Sequence, residues 1–358
     1  MNYNKPDTPF PTVGYYGPDY FCDREKEIES LITNIRGGQS TTLVSIRRMG
    51  KTGLINHLKH TISDKYIFIY TDILPTENLH EFLNKMASSI LNSVPEKSSI
   101  GEKIWHFIKS LRTVFTFDPL TGEPQVSFHI QPKESDNQVE HLFAFLEKQE
   151  KRVIIAIDEF QQIREYPEKN VEAWLRSIIQ QLTNITFIFS GSQQHLMNDM
   201  FSNPSKPFFG STVFMHLDKI GEVPYTNFII NKFREGGKTI TGEVVKAILQ
   251  WTNRHTFYVQ LACNRVFLNQ AKTIDIDLWH SEAKKLLNEQ EYLFFGYRDV
   301  LTKHQWKLLR AIAFEGKATS LTSKEFVQKH NLGSPATVLR SLESIQKKNL
   351  IFSRHNEN

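Results

Sequence analysis

The stretch TLVSIRRMGKT, residues 42–52, decides the fold. Its first half is an apolar run with the length and composition of a buried β-strand, and a helical pattern opens directly after it. A strand that runs through a Gly-Lys-Thr turn into a helix is the setting of a P-loop, in which backbone N–H groups and the helix N-terminus converge on phosphate. The stretch therefore predicts a nucleotide-binding site.

Each residue of this loop has an expected role. Lys51 is expected to reach the β- and γ-phosphates, the Thr52 hydroxyl to ligate Mg²⁺, and Gly50 to let the backbone approach the ligand without a Cβ. The other positions expected to contact the nucleotide are Arg47, Arg48, Met49 and Gly53. Ser45 replaces the usual first glycine of the motif, so the loop taken alone also fits an ordinary polar turn before a helix.

A second stretch, VIIAIDE at residues 153–159, strengthens the nucleotide interpretation. A buried strand would carry Asp158 to the metal side of the nucleotide, and Glu159 next to it would orient or deprotonate the attacking water. Acidic residues at strand ends are common, so this stretch alone is ambiguous. Because this stretch follows Lys51 along the chain, in the order usual for nucleotide sites, ATP and Mg²⁺ are the expected ligands.

A third strand, FIFSGS at residues 187–192, ends in small polar residues. In P-loop ATPases that carry such an acidic pair, the neighbouring strand has a polar residue that senses the γ-phosphate or the attacking water. Ser192 is the slightly favoured candidate and Ser190 the other, while a simple turn explains the pattern equally well.

Strand and helix patterns alternate along the first part of the chain. Strands are expected at residues 42–46, 66–70, 153–157, 186–189 and 213–217. Helices are expected at residues 23–34, with Asp23 as N-cap, and at 52–61, 79–92, 138–148 and 171–182. This alternation predicts an α/β fold, a parallel-sheet P-loop core covered on both faces. Residues 93–135 interrupt it as an insertion, with a helix at Ile104–Phe115 and a turn at residues 118–122 between two extended pieces.

The C-terminal segment predicts a winged helix. Helices are expected at residues 302–314 and 323–330, a third is capped by Ser334, and a strand begins at Leu350. The positions of the third helix expected to face a DNA groove are Thr337, Arg340 and Ser341. Ten Lys or Arg against three Glu between residues 301 and 355 favour a phosphate backbone, but a protein-contact module has the same outline. Duplex DNA and a protein partner both stay open.

Composition narrows the class of protein. The 358 residues favour two or three domains, and 40% hydrophobic with 23% charged residues excludes a disordered chain. Two cysteines, Cys22 and Cys263, are too few for a secreted disulfide scaffold. With no signal-peptide pattern at the N-terminus and no apolar run long enough to cross a bilayer, a cytoplasmic protein without membrane contact is expected.

Together these motifs resemble a known family. The paired arginines of RRMGKT, the DEFQ of residues 158–161 and the strand ending in SGS are similar to the archaeal-type ATPases, AAA-like and STAND-related P-loop proteins that also occur in bacteria. The segment FCDREKEI, residues 21–28, is similar to the family's FxGRxxEL entry segment, with Asp23 in place of glycine. The resemblance covers the chain from about residue 14.

The resemblance implies a domain order. It implies an N-terminal arm at 1–20, an ATPase core at 21–218, a helical lid at 219–292 and a winged-helix domain at 293–358. It also implies that Arg24 lies near the adenine side of the site, whereas a solvated charge on the first helix is the alternative.

Two positions depart from the family pattern. Where relatives often carry Gly-x-Pro in the lid, this chain has Arg254, His255 and Thr256, so Arg254 or His255 is the candidate lid sensor and a packed histidine is the alternative. The segment FFG, residues 208–210, is followed by Ser211 rather than the arginine that relatives often have. An oligomer remains possible, but activation in trans through this position is not expected.

The main hypothesis is an ATP-dependent regulator or motor that binds and hydrolyses MgATP, with Lys51, Glu159 and Ser192 as its catalytic candidates. The nucleotide state would be coupled to the winged helix. One alternative is a slow STAND-type nucleotide switch in signalling or regulation, and another is a DNA-binding protein with a degenerate ATPase core.

Overall fold

The computed structural model describes residues 6–94, 96–111, 113–128, 135–316, 318–348 and 350–351. The chain divides into two compact units, residues 1–273 and 274–358, each described here by itself. The strands are β1 (Thr41–Val44), β2 (Ile67–Asp72), β3 (Thr113–Phe117), β4 (Pro124–Phe128), β5 (Val153–Asp158), β6 (Ile185–Gly191), β7 (Val213–His216), β8 (Thr239–Ile240) and β9 (Thr273–Ile274).

The helices of the first unit are α1 (Glu25–Arg36), α2 (Lys51–Ile62), α3 (Leu79–Ser93), α4 (Ser99–Ser110), α5 (Ser135–Glu147), α6 (Val171–Ile179), α7 (Gln194–Ser202), α8 (Glu222–Glu235), α9 (Gly242–Trp251) and α10 (Thr256–Leu268). Those of the second unit are α11 (Ile276–Val300), α12 (Lys303–Glu315), α13 (Lys324–Lys329) and α14 (Pro335–Lys347).

A five-stranded parallel sheet is the framework of the first unit. Its order is β2-β5-β6-β1-β7, so the strand of the acidic pair, β5, is separated from the P-loop strand β1 by β6 alone. Every residue of β5 and β6 is buried, because helices cover both faces of the sheet. Helices α1 and α2 fill one face, and α3, α5, α6 and α7 the other. The expected fold class is confirmed.

The insertion contains the expected turn between two extended pieces, but its helix has different bounds from the expected ones. The helix predicted at Ile104–Phe115 is α4, which ends at Ser110, and the chain continues into the hairpin of β3 and β4 around the expected turn. Val126 and Phe128 of the hairpin are buried against α3. Their N–H groups donate to Ser88 Oγ and Asn84 Oδ1 of that helix. These bonds hold β4 beside α3, and from Thr113 onward the chain pairs with β4 as a strand instead of continuing the helix.

The start of α1 also differs from the expectation. The helix begins at Glu25, its N-cap is Arg24, and Asp23 provides no side-chain cap. Asp23 and Arg24 have φ values of 59° and 85°, in the left-handed region that glycine occupies most easily. Asp23 therefore has the backbone conformation favoured by glycine, the residue that the family's entry segment has at this position. The buried Arg24 guanidinium, which pairs with Glu27, holds this turn outside the helix.

The N-terminal arm is packed onto the rest of the first unit. Phe10 is 1% exposed and contacts the rings of Phe228 and Phe233 on α8 and Phe267 on α10. Asn264 Nδ2 donates to the Phe10 carbonyl at 3.0 Å. Farther along the arm, the Tyr15 hydroxyl lies 2.8 Å from His57 Nδ1 on α2. The arm therefore contacts helices α8 and α10 at one end and α2, the helix that follows the P-loop, at the other.

The second unit contains the three expected helices α12, α13 and α14, which pack around a core that includes Leu308, Val338 and Ile345. Thr302 and Gln305 form a capping box at α12, and the Ser334 cap of α14 is confirmed. The strand expected from Leu350 is not formed at residues 350–351 and otherwise lies outside the described residues. The long helix α11 crosses the expected boundary between lid and winged helix at residue 292, which stays a prediction.

Ser341 is not at the surface of α14. It is 7% exposed, and its hydroxyl lies 2.8 Å from His304 Nδ1 on α12, so the expectation that it faces a DNA groove is wrong. The helix stripe at Val338 and Ile345 turns Ser341 inward with it. Arg340 is exposed, and Thr337 is half-buried with its hydroxyl 2.9 Å from that of Ser334. No helix in the described ranges is long and apolar enough to span a membrane.

Candidate functional site

The P-loop connects β1 to α2 through residues 45–50. Gly50, the N-cap of α2, has φ 100°, which is the conformation that requires glycine in the Gly-Lys-Thr turn. Ser45 is absent from the residues with positive φ, so serine fits this position without backbone strain. Its carbonyl and hydroxyl accept from Lys51 Nζ at 3.4 and 3.5 Å. The departure from the usual motif is therefore accommodated, and it supplies a resting contact for the lysine.

Lys51 is a buried cation without a close anionic partner. It is 6% exposed, and within the described ranges its ammonium makes no ion pair. Burial lowers the pKa of Lys51, while the carboxylates of Asp158 and Glu159 act in the opposite direction. A buried ammonium with only two long hydrogen bonds is electrostatically suited to a polyanion such as a triphosphate.

Thr52 and Asp158 meet across the sheet. Thr52 Oγ1 donates to Asp158 Oδ2 at 2.7 Å, and the Tyr70 hydroxyl of β2 donates to the same oxygen at 3.1 Å. A hydroxyl and a carboxylate this close fit the oxygen ligands that Mg²⁺ prefers. Among the residues with described positions, no three His, Cys, Asp or Glu side chains form a metal cluster.

Glu159 has a left-handed backbone, with φ 54°, directly after β5. Its Oε2 accepts from Ser192 Oγ at 2.7 Å and from Gln161 Nε2 at 2.5 Å. Strained backbone of this kind is maintained only where surrounding contacts fix it, and such positions cluster at functional sites. Ser190, the other candidate on β6, is completely buried, and its hydroxyl has no hydrogen-bond partner in the described structure.

A third carboxylate borders the acidic pair. Asp72 ends β2 and is in register with Asp158, and its Oδ1 accepts from the Leu74 N–H at 3.0 Å. Burial raises the pKa of Asp72, and the negative charges of Asp158 and Glu159 add to that effect. Three carboxylates at one sheet edge make this edge favourable for a cation.

The start of α10 contacts the outer side of the P-loop. His255 Nε2 lies 3.1 Å from the Arg47 carbonyl, Thr256 Oγ1 donates to the Met49 carbonyl at 3.1 Å, and the backbone N–H of Phe257 donates to the Arg48 carbonyl at 3.2 Å. Residues 255–257 at the start of α10 thus contact the backbone carbonyls of residues 47–49 of the loop. The loop N–H groups, on the opposite side of these peptide planes, stay available for phosphate.

The remaining candidates have varied positions. Arg47 and Arg48 are exposed, and the Arg48 guanidinium lies 4.3 Å from the centre of the Phe257 ring. Arg24 is 5% exposed and donates to the Asp218 carbonyl, so it is not a solvated charge. Arg254 donates to the Ile220 carbonyl at 3.4 Å, a geometry that anchors the lid.

Several contributors to the site, the Asp72 carboxylate among them, were not sequence candidates. Gln161 is the last residue of the DEFQ stretch, and its contact with Glu159 depends on a left-handed turn that no local pattern reveals. Tyr70 has the appearance of an ordinary strand residue. Phe257 acts through its backbone and its ring, for which sequence offers no signal.

This geometry defines the class of protein: a P-loop between strand and helix, beside an acidic pair on a parallel sheet, is the arrangement of P-loop ATPases. The chain belongs to the family described as "ATPase domain predominantly from Archaea", whose model matches residues 21–259. A second model, described as "Probable winged helix domain", matches residues 292–357. The expected family is thereby confirmed.

Solved structures share the fold. A Walker-type ATPase of Pyrococcus abyssi is 18% identical, with a TM-score of 0.66 over 96% of this chain and 93% of that one. The Aeropyrum pernix ORC2 protein, in ADPNP–ADP complexes, is 13% identical with a TM-score of 0.57 over 95% and 89%. The Aeropyrum pernix ORC1 protein in complex with DNA is 14% identical with a TM-score of 0.51 over 95% and 87%. No curated protein matches the chain in sequence.

Proposed function

We propose that this chain binds ATP with Mg²⁺ and hydrolyses it to ADP and phosphate. One observation carries the proposal: the strand order brings Lys51, Thr52, Asp158 and Glu159 to one edge of the sheet, with Thr52 and Asp158 in contact. Phosphoryl transfer needs groups that hold the phosphates, hold the metal ion and activate water at one place, and these four residues together could perform the three tasks.

Each side chain has a task in this mechanism. The loop N–H groups and Lys51 hold the phosphates, and Arg47 and Arg48 add positive charge beside them. Thr52 and Asp158 would hold Mg²⁺, which neutralises charge on the phosphate oxygens when it is bound. Glu159 accepts a proton from the attacking water.

The lid and the β6 hydroxyl complete the proposal. Ser192 is the better sensor candidate than Ser190, because its hydroxyl contacts Glu159, whereas that of Ser190 is enclosed. His255 is the better lid sensor than Arg254, because it contacts the P-loop directly. Arg24 remains a candidate for the adenine side through its fixed place at the start of α1.

The proposal is tested by steady-state ATP hydrolysis and by direct binding of ATP. Glu159→Gln should retain ATP binding and lose turnover by at least about 100-fold, the usual contribution of a general base. Lys51→Ala should weaken binding itself. The control is Glu165→Gln, an exposed carboxylate a few residues farther along, which should match the unaltered protein. Equal turnover in Glu159→Gln and the unaltered protein would remove Glu159 from its role.

ATP bound tightly without turnover in the unaltered protein would instead support the slow nucleotide switch. Duplex binding that is indifferent to ATP would support a degenerate core. The partner of the winged helix is tested in the same assay with duplex DNA over a range of salt concentrations. Stimulation that falls steeply with salt indicates phosphate contacts, for which the exposed Arg340 and the half-buried Thr337 are the candidates. No effect favours a protein partner.

A further inference from the structure

Gln161 belongs to the DEFQ stretch but has no task in the mechanism above. It lies in the short 3₁₀ helix Phe160–Glu165 that follows β5 and is 2% exposed. Its amide Nε2 donates to Glu159 Oε2 at 2.5 Å. Burial of a polar amide is costly unless it serves a contact, and here the contact is with the proposed general base.

The neighbouring strand is shaped to admit this amide. Gly191 of β6 is absent from the residues with positive φ, so its backbone does not demand glycine. A Cβ at this position would lie 2.5 Å from Gln161 Oε1 and 2.6 Å from Met197 Cγ. Gly191 is therefore required for space, and the space is filled by the Gln161 amide together with the Met197 side chain.

The strand order shows in which direction Glu159 is held. Its donors are Gln161 and the hydroxyl of Ser192 at the end of β6, the strand that separates β5 from β1 and its P-loop. On the other side of β5, strand β2 ends in Asp72, a like charge. Attraction toward β6 and repulsion from β2 both direct the Glu159 carboxylate toward the P-loop side of the sheet.

We propose that Gln161 is a positioning residue that orients Glu159 for water activation, with Gly191 providing the room for its amide. This inference rests on the proposed ATPase function. Gln161 Nε2 and the hydroxyl and backbone N–H of Ser192 all donate to Oε2, which fixes the position of that oxygen. The other oxygen, Oε1, accepts no hydrogen bond within the described structure and receives the water proton during hydrolysis.

Gln161→Met tests the role of the amide, because methionine keeps the length of the side chain and removes the donor. The matched control is Gln162→Met, whose amide donates to the Thr76 carbonyl instead. We expect kcat to fall about 10- to 100-fold in Gln161→Met, the range for losing a hydrogen bond to a charged group. KM and the affinity for a non-hydrolysable ATP analogue should stay within about twofold, since a positioning role leaves ground-state binding unchanged.

A double-mutant cycle separates this role from general packing. Gly191→Ala should lower kcat because its Cβ displaces the amide as well as Met197. In a Gln161→Ala background only the Met197 contact remains, so the same change should lower kcat less than it does in the unaltered protein. Gln161→Ala also serves where methionine does not fold, since it creates no clash. Full kcat in both Gln161 variants, or additive losses in the cycle, would overturn the inference. No turnover in the unaltered protein would refute the proposed function instead, so the two failures are distinguishable.

Discussion

The Tyr70 hydroxyl is a sharp probe of the Thr52–Asp158 contact, because it donates to the same carboxylate oxygen as Thr52. Tyr70→Phe removes this donor and leaves the ring in place. A hydrogen bond to a charged group contributes about 1.5–3 kcal/mol. The distance of 3.1 Å is long for a hydroxyl donating to a carboxylate, which favours the lower end, about 1.5 kcal/mol. This corresponds to about a tenfold effect.

The expected result is that the Mg²⁺ concentration for half-maximal ATP hydrolysis rises about tenfold in Tyr70→Phe, while kcat at saturating Mg²⁺ changes less than about twofold. A Mg²⁺ titration of ATP-analogue binding should show the same shift without turnover. Tyr66→Phe is the control, because Tyr66 packs against the same core beside α1 and α2 without a hydrogen bond to the site. Equal Mg²⁺ requirements for Tyr70→Phe and Tyr66→Phe would refute the reasoning.

Three further outcomes follow from the contacts of the lid and the arm. Burial lowers the pKa of His255 below 6.5, so the folded protein favours the neutral ring and stability should be lost as pH falls below about 6.5. Thermal melts at pH 7.5 and 5.5 should therefore show a smaller loss of stability in His255→Gln than in the unaltered protein. Thr256→Val removes the donor to the Met49 carbonyl and should lower the free energy of unfolding by about 1 kcal/mol in urea titrations. Phe10→Ala should cost about 3–5 kcal/mol by the same measurement, against almost nothing for the exposed Val13→Ala, and equal losses would contradict the packing of the arm.

Sequence predicted the parts of this fold that depend on local patterns. The five sheet strands, the P-loop turn and the capped helices of the C-terminal unit all follow from apolar runs, glycine and cap residues over short distances. The family expectation is confirmed for the same reason, since its motifs are short and contiguous.

The misses share a different cause, which is tertiary contact. Ser341 lies on the buried stripe of its helix with Val338 and Ile345, where its hydroxyl meets His304 on another helix. The end of α4 is set by hydrogen bonds from a hairpin to α3, and Asp23 loses its capping role because Arg24 is held by Glu27 and by the segment after β7. The contact between Gln161 and Glu159 cannot be predicted from sequence, because it depends on the left-handed backbone conformation of Glu159.

The packing of Phe10 affects where the N-terminus can be placed when the protein is shortened. The family match begins at residue 21, which makes that position a natural choice for trimming the chain to its recognised domain. Trimming there would leave a ring-sized hole among Phe228, Phe233 and Phe267 and would free His57 from Tyr15. Apolar rings newly open to water promote association between molecules. A shortened protein that precipitates or fails to bind nucleotide would therefore report the loss of its arm, not a defect of the P-loop.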